Sequence, residues 1–412
     1  MRALFSGVTG LRAHQLRMDV IGNNIANVNT TGFKSSRVSF MDVFSQTMSN
    51  GSTDQNPQQV GLGVGVASTD LNMSAGSMQM TGRALDLGIE GNGFFIVKDS
   101  NGTLQYTRAG NFDWSSQGYL VVPGTGQRVQ GWQVDAKGNP IGNPTDIQVQ
   151  KGSTIVATPT ANIGFSKNLD ANMAIAAGNP PSPSYSTAVT VYDSLGRAQS
   201  LTFTFTKTGP LQWQWDLTTP AGITVNNPTG TLDFLQDGTM DPASAGRTAA
   251  ITLQYTAGDA QDQDITIDFS KITQAYATSS GSTVQATSAD GNPMGVLESV
   301  YVDTSGVVTA VYSNGTRAAV GVLALADFAN PAGLLKAGSS SFVESGASGT
   351  ALVGRPGAGG LGKLVPQNLE MSNVDLATEF TNMIMTQRGF QANTRIITTA
   401  DEMLQDVVNL RR

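Results

Sequence analysis

Residues 4–28, LFSGVTGLRAHQLRMDVIGNNIANV, place Leu4, Leu11, Met18 and Ile25 seven residues apart, with Val8, Ile21 and Val28 between them. Residues 376–407, LATEFTNMIMTQRGFQANTRIITTADEMLQDV, repeat the spacing in Leu376, Met383, Phe390, Ile397 and Leu404, with Phe380, Ile384, Met403 and Val407 filling in. A seven-residue apolar period marks a helix that lies along another helix. The spacing predicts a helix over 2–29, about 40 Å long, and a second helix to about 410, roughly 55 Å long. Gly7, Gly10 and Gly22 sit inside the first, each costing up to about 1 kcal/mol relative to Ala. That segment is therefore expected to order only when its apolar stripe is buried. Two helices bracketing a non-helical middle predict ends that meet each other or copies of themselves.

The helix boundaries have their own signals. Asn23, Asn24, Asn27 and Asn29 lead into Thr30-Thr31-Gly32, and Asn and Gly accept the left-handed conformation that ends a helix. Ser372 and Asp375 have the spacing of a capping box before the second helix. Asp375 and Glu379 near its start, with Arg411 and Arg412 near its end, suit the helix dipole.

The middle reads as strands. Residues 33–72 are expected to form an extended linker or arm, with the Gly-rich stretch 49–66 as loop. From about 73, short apolar runs alternate with turns, and Asn101-Gly102 between FFIVK and LQYTR is a strong hairpin signal. Leu201, Phe203 and Phe205 alternate with Thr202, Thr204 and Thr206, and Trp213 and Trp215 alternate with Gln212 and Gln214. Ile251, Leu253, Tyr255, Ile265, Ile267 and Phe269 continue that period of two, which predicts an antiparallel sandwich or barrel. The flanks 176–186 and 278–295 read as linkers.

The expected fold is thus mixed, mainly β with terminal α-helices, in nested layers. Residues 1–32 and 367–412 form a coiled-coil-like terminal helical domain, and 73–167 with 291–366 form a discontinuous β-domain. Residues 168–290 form an inserted outer β-domain.

Composition narrows the function. Only 13% of the 412 residues are charged, against about 25% in ordinary soluble proteins, so copies repel one another weakly. The net charge is -7, without the basic footprint that nucleic-acid binding needs. The chain has no Cys, which removes disulfides, thiolate metal sites and a cysteine nucleophile. There is no apolar run of membrane-spanning length. The opening MRALFSGVTGLRAHQL lacks the apolar core of a Sec signal. His14 is the only histidine, so a Ser-His-Asp triad has no credible base and His14 reads as a polar helix position. The stretches Asp233, Asp237, Asp241 and Asp259, Asp262, Asp264, Asp268 do not match a calcium loop and read as solvated turns. Gly61-Leu62-Gly63-Val64-Gly65 lacks the Lys-Ser/Thr of a phosphate loop and reads as a bend. Phe203, Phe205, Trp213 and Trp215 could line a sugar-binding face, but strict alternation favours a core. No enzyme activity, metal or cofactor is expected.

Residues 6–44 resemble the amino-terminal signature of the flagellar rod and hook axial proteins. The signature centres on Asn23, Asn24 and Asn27, followed by Thr30, Gly32, Phe33 and Lys34. Residues 368–410, with GIEGNGFFIV at 88–97 and YTRAGNF at 106–112, are similar to other parts of that family. Rod members are typically shorter and lack a large inserted β-domain, so the resemblance points to the hook-type members. It implies a structural subunit of the extracellular flagellar hook, self-assembling into a curved, flexible tube that transmits torque from rod to filament as a universal joint. It also implies a homopolymer of many copies, with hook cap, distal rod and hook-filament junction proteins as partners. Export would run through the flagellar type III apparatus without a cleaved Sec signal. The assembly residues would be Leu4, Val8, Leu11, Met18, Ile21, Ile25, Leu376, Phe380, Met383, Phe390, Ile397 and Leu404. A distal-rod protein and a secreted carbohydrate-binding sandwich are the competing readings.

Overall fold

The strand Phe94–Lys98, FFIVK, has no polar residue until its end, and both its faces are covered, as an unbroken apolar run requires. Phe95 and Val97 enter a cluster with Leu87, Phe112 and Leu323, while Phe94 and Ile96 enter another with Tyr106, Phe328 and Phe342. The strand pairs antiparallel with Leu104–Thr107 across the Asn101-Gly102 turn, where Gly102 takes φ +83°. It also pairs with Arg128–Val134 and with Leu325–Asp327. The computed structural model describes residues 2–49, 56, 58–135, 139–177, 183–256, 260–277 and 281–409. Asp259, Arg411, Arg412 and the side chain of Val407 lie outside the described residues.

The chain is mainly β with a helix at each end, and it divides into two compact units. One comprises 1–151, 300–310 and 318–412, and the other comprises 152–299 and 311–317. The first contains helices α1 (Arg2–Ala26) and α2 (Leu376–Asn409). Helix α1 stops at Ala26, short of the expected 29, because Asn27 turns back to bond the Asn23 carbonyl. At the start of α2 the cap is Asp375 and not a Ser372–Asp375 box. Its Oδ1 accepts from the Ala377 N–H at 3.0 Å and its Oδ2 from the Thr378 hydroxyl at 2.7 Å. Thr378 and these amides hold its pKa below the ordinary carboxylate value.

The arm at 33–72 is built from paired strands. Ser36–Asp42 pairs antiparallel with Val64–Leu71, and Ser45–Ser49 with Gln58–Gly61. The second half of the stretch read as loop is therefore ribbon. Its period was hidden because neither face is deeply buried, so nothing imposes alternation.

The second unit contains a sandwich of two sheets. Ser184–Tyr192, Ala198–Lys207, Gln212–Thr218 and Thr229–Asp233 form one, with Phe203 opposite Leu217 and Phe205 opposite Trp215. The other runs in the order Ile223–Asn226, Thr248–Tyr255, Gln263–Ala275, Asn162–Asp170, Gln285–Ala289. No barrel closes among the described strands. The expected all-antiparallel arrangement also needs correction, since Asn162–Asp170 and Gln263–Ala275 run parallel, with Ile163 beside Ile267. The long excursion between them supplies the crossover that a parallel pair needs. Part of the 278–295 linker is likewise a strand, Gln285–Ala289.

Inside the sandwich, Phe165, Phe203, Phe205, Trp215 and Phe269 form one aromatic cluster, with Phe165–Phe203 centroids 4.8 Å apart and Trp215–Phe269 5.5 Å apart. Burying each Phe contributes about 1.5–3 kcal/mol. Trp213 is buried beside them. The alternating aromatics are core residues and present no face to a sugar.

Candidate assembly site: the terminal helix pair and its root

Helices α1 and α2 pack antiparallel. Gly7 lies on Ile397, Gly10 on Asn393 and His14 on Gly389. Farther along, Arg17 Nη2 donates to Asn382 Oδ1 at 3.4 Å and Asn24 Nδ2 to Glu379 Oε1 at 3.0 Å. The glycines set this approach. A Cβ at Gly10 would stand 2.8 Å from the Asn393 amide, and one at Gly389 would stand 2.7 Å from the His14 ring. The residues read as helix penalties are thus the contact points between the two backbones. The imidazole of His14 sits edge-on to Phe40 at 5.7 Å, and burial, aided by the Arg17 charge, lowers its pKa.

This shifts the pairing face away from the apolar heptad. Ala13, Ile21 and Asn24 are buried on α1, as are Thr386 and Ala400 on α2. Leu4, Leu11, Met18 and Ile25 are half-buried along the flank of α1, and Met383, Phe390 and Ile397 hold the same position on α2. Val8, Leu376 and Phe380 face outward, with Phe380 50% exposed, and Leu404 is exposed where α2 continues the stripe of Ile397 and Ala400 past the start of α1. Phe5, Leu16, Ile384, Met385 and Met403 join them, and Phe5 and Met403 are each more than 60% exposed. The pair therefore satisfies one face internally and leaves an apolar face uncovered. Apolar surface of that kind marks an interaction site.

At the root of the pair, the Asn-rich motif is a hydrogen-bonding hub. Asn24 is buried; its Oδ1 accepts from the Ser36 N–H and its Nδ2 donates to the Ser36 carbonyl at 2.8 Å. Asn27 Nδ2 donates to Asn23 Oδ1, and the Thr30 hydroxyl donates to Asn27 Oδ1. Gly32 takes φ +66° and donates its N–H to the Glu370 carbonyl; a Cβ there would stand 2.4 Å from the Ala109 nitrogen. Lys336 Nζ lies 4.8 Å over the Phe33 ring.

Lys34 is the centre of this root. It is 1% exposed and donates to Glu370 Oε1 and to the Ser74 carbonyl, each at 2.7 Å. Arg108 Nη1 holds the other oxygen, Glu370 Oε2, at 3.2 Å, and the Gly76 N–H donates to Oε1 at 2.9 Å. Burial lowers the pKa of Lys34, and Glu370 opposes that shift. Burial also lowers Arg108, again opposed by Glu370. One carboxylate thus ties the segment after α1, the segment before α2 and the β-core together. Asn373 adds a second tie: its Oδ1 accepts from the Ser35 N–H and its Nδ2 donates to the Asn72 carbonyl, both at 2.8 Å. Sequence reading singled out Lys34 but not Glu370, Arg108 or Asn373.

The acidic stretches are occupied locally. Asp233 accepts from Gln212 and Ser244, Asp241 from the Ala243 N–H, Asp264 from Thr252, and Asp268 from the Ser270 N–H. Among the described residues, no group of three or more His, Cys, Asp or Glu is gathered where it could hold a metal.

Four family models match the chain in order. They are the flagella basal body rod protein at 4–34, the flagellar hook protein FlgE/F/G D1 domain at 88–167, the flagellar basal body protein FlaE D2 domain at 166–292, and the flagellar basal body rod FlgEFG protein C-terminal at 365–410. The flagellar hook protein FlgE of Borreliella burgdorferi is 41% identical over 100% of both chains. The chain belongs to the flagellar hook protein FlgE family. The FlgE of Treponema pallidum is 39% identical, again over 100% of both chains. The crystal structure of Helicobacter pylori flagellar hook protein FlgE2 shares the fold, with TM-score 0.51 and 15% identity over 71% of this chain and 100% of that one. Within the FlgE family frame, the buried root joins residues from three matched segments: Lys34 from the first, Arg108 from the D1 match and Glu370 from the C-terminal match.

Proposed function

We propose that this chain is a structural subunit of the bacterial flagellar hook, in which many copies assemble through their terminal helices into a curved, flexible tube. The tube passes rotation from rod to filament as a universal joint. Membership of a structural axial-protein family supports this reading and a non-catalytic role. The observation that carries it is the two-faced helix pair. Its glycine-lined face is closed within the chain, whereas Phe380, Ile384, Val8 and Leu404 remain uncovered. In the polymer this outer face buries against neighbouring copies, and the half-buried Leu4, Leu11, Met18, Ile25, Met383, Phe390 and Ile397 complete the seam. Truncating one large apolar side chain in that seam costs about 2–5 kcal/mol per subunit, repeated along the tube.

Bending requires subunits to change spacing between the inside and the outside of the curve. The Gly-rich stretch 354–362 and the thin ribbon at 36–71 supply joints that yield. Few surface charges let neighbouring β-surfaces slide on weak polar contacts. The partners in this reading are the hook cap, distal-rod and hook-filament junction proteins, with export through the flagellar type III apparatus to the cell exterior. Electron microscopy of the purified full-length chain under polymerising conditions tests it. Curved tubes are expected. Straight, stiff tubes would favour the distal-rod reading, and a persistent monomer would overturn the proposal.

A further inference from the structure

The sandwich unit carries a cavity of about 470 Å³ that assembly through the helices does not use. Ala171, Lys207, Asp237, Gln274 and Tyr276 are among its walls. Lys207 ends the strand Ala198–Lys207 and is only 7% exposed. Its ammonium donates to the Ala171 carbonyl at 2.6 Å, and both residues line the cavity. That carbonyl is its one side-chain hydrogen-bond partner among the described residues, and it forms no ion pair with them. Residues 178–182 and 278–280, which lie outside the described residues and adjoin the walls in sequence, contain no Asp or Glu.

An ammonium has three N–H donors, and a buried charge is tolerated only when paired or fully hydrogen-bonded. The neighbouring amide does not meet this need. Gln274 Oε1 accepts from Trp213 Nε1 at 3.2 Å, and its Nε2 donates to the Pro210 carbonyl at 2.8 Å. Lys207 therefore presents a charge and two donors that the surrounding described residues do not satisfy. The rim has a different chemistry. Tyr276 is 76% exposed and Leu235 40% exposed, an apolar platform on a wet surface. Asp237 spends Oδ1 on the Thr239 N–H and hydroxyl and keeps Oδ2 as an acceptor in solvent.

From this arrangement we infer that the cavity is a binding site for an acidic sugar of the hexuronate class. The ligand carboxylate pairs with Lys207, the ring face lies on Tyr276, and ring hydroxyls donate to Asp237. A neutral sugar leaves the buried ammonium unpaired, and a small carboxylate such as acetate leaves Tyr276 and most of the volume uncovered. The rim carboxylate of Asp237 is water-exposed, so screening keeps its repulsion of the ligand small.

The test titrates the full-length chain, below its polymerising concentration, with glucuronate, glucose and acetate, followed by saturation-transfer NMR and calorimetry. Glucuronate is expected to bind at least about tenfold more tightly than either control, a difference of about 1.4 kcal/mol. Lys207→Met should erase the preference for glucuronate over glucose. Tyr276→Ala, at an exposed position, should weaken glucuronate several-fold with an unchanged circular dichroism spectrum. Equal binding of the three probes, no binding of glucuronate, or acetate binding as tightly as glucuronate would overturn the inference. Should Lys207→Met fail to fold, the Tyr276→Ala titration decides, and unaltered glucuronate affinity in that variant is also contrary.

Discussion

Replacing Glu370 by Gln would keep the shape of the root and remove the carboxylate that Lys34 and Arg108 share. Glu370 is fully buried and accepts from Lys34, Arg108 and the Gly76 N–H. Without its charge, Lys34 and Arg108 lose the carboxylate they share, and only the charge of Asp327 still acts on Arg108. Removing one partner of a buried ion pair costs about 3–5 kcal/mol, because the remaining charge is left uncompensated. At 1.4 kcal/mol per factor of ten, the opened population of this unit rises roughly 100- to 4,000-fold. The triad has two cations for one carboxylate, so the reverse deletion is milder. Lys34→Met leaves Arg108 and Glu370 as a balanced pair and forfeits mainly hydrogen bonds, about 1–2 kcal/mol. Amide hydrogen exchange read by mass spectrometry separates the two units of the chain. Peptides covering 34–37, 74–78, 106–112 and 368–373 should lose protection in Glu370→Gln, while those covering 184–218 keep it. Equal effects of the two substitutions, or a Glu370→Gln shift below about 1 kcal/mol, would show that this carboxylate is not the keystone of the root.

Gly10→Leu forces a side chain into the Asn393 amide, and overpacking of this kind costs about 1–3 kcal/mol. The helical signal at 222 nm should melt earlier in that variant, and an unchanged melt would show that the helices do not meet at their glycines. Acidification should fray the start of α2. Thr378 and the helix amides hold the Asp375 pKa below its unfolded value of 3.8, so its stabilisation is complete above 3.8 and disappears as pH falls through the lower folded value. Asp375→Asn should abolish this acid dependence in exchange measured over 376–379, and its persistence in that variant would assign the effect to another group. Phe203→Ala should destabilise the sandwich by about 3–5 kcal/mol, read as lost exchange protection over 184–218.

The terminal helices were legible because seven-residue spacing of Leu, Met, Ile and Phe survives in any context. Their pairing face was not. Gly7, Gly10 and Gly389 carry no side-chain pattern, and a glycine in a helix reads as a penalty until the opposing helix is seen. The sandwich core was legible in strict alternation through Leu201, Phe203, Phe205, Trp213 and Trp215, all of them buried. The parallel pairing of Asn162–Asp170 with Gln263–Ala275 was not, since strand direction depends on the route of the chain and leaves no trace in a period of two. The ribbon at 36–71 escaped because its strands bury no face. Lys34 stood out within its motif, but its partners lie 336 residues away at Glu370 and, through that carboxylate, at Arg108. One chain read alone gives no reason to join three charges so far apart.

If the uncovered face of the helix pair is the seam between copies, Phe380→Asp should block assembly. Phe380 is half-exposed in the single chain, so the substitution should cost the monomer no more than about 1.5 kcal/mol, half of a full Phe burial. Sedimentation of polymer, measured beside the melting of the monomer, is the deciding observation. A monomer melt lowered by no more than that amount, and no sedimenting tubes, are expected. Tubes in normal yield from Phe380→Asp would show that copies meet elsewhere.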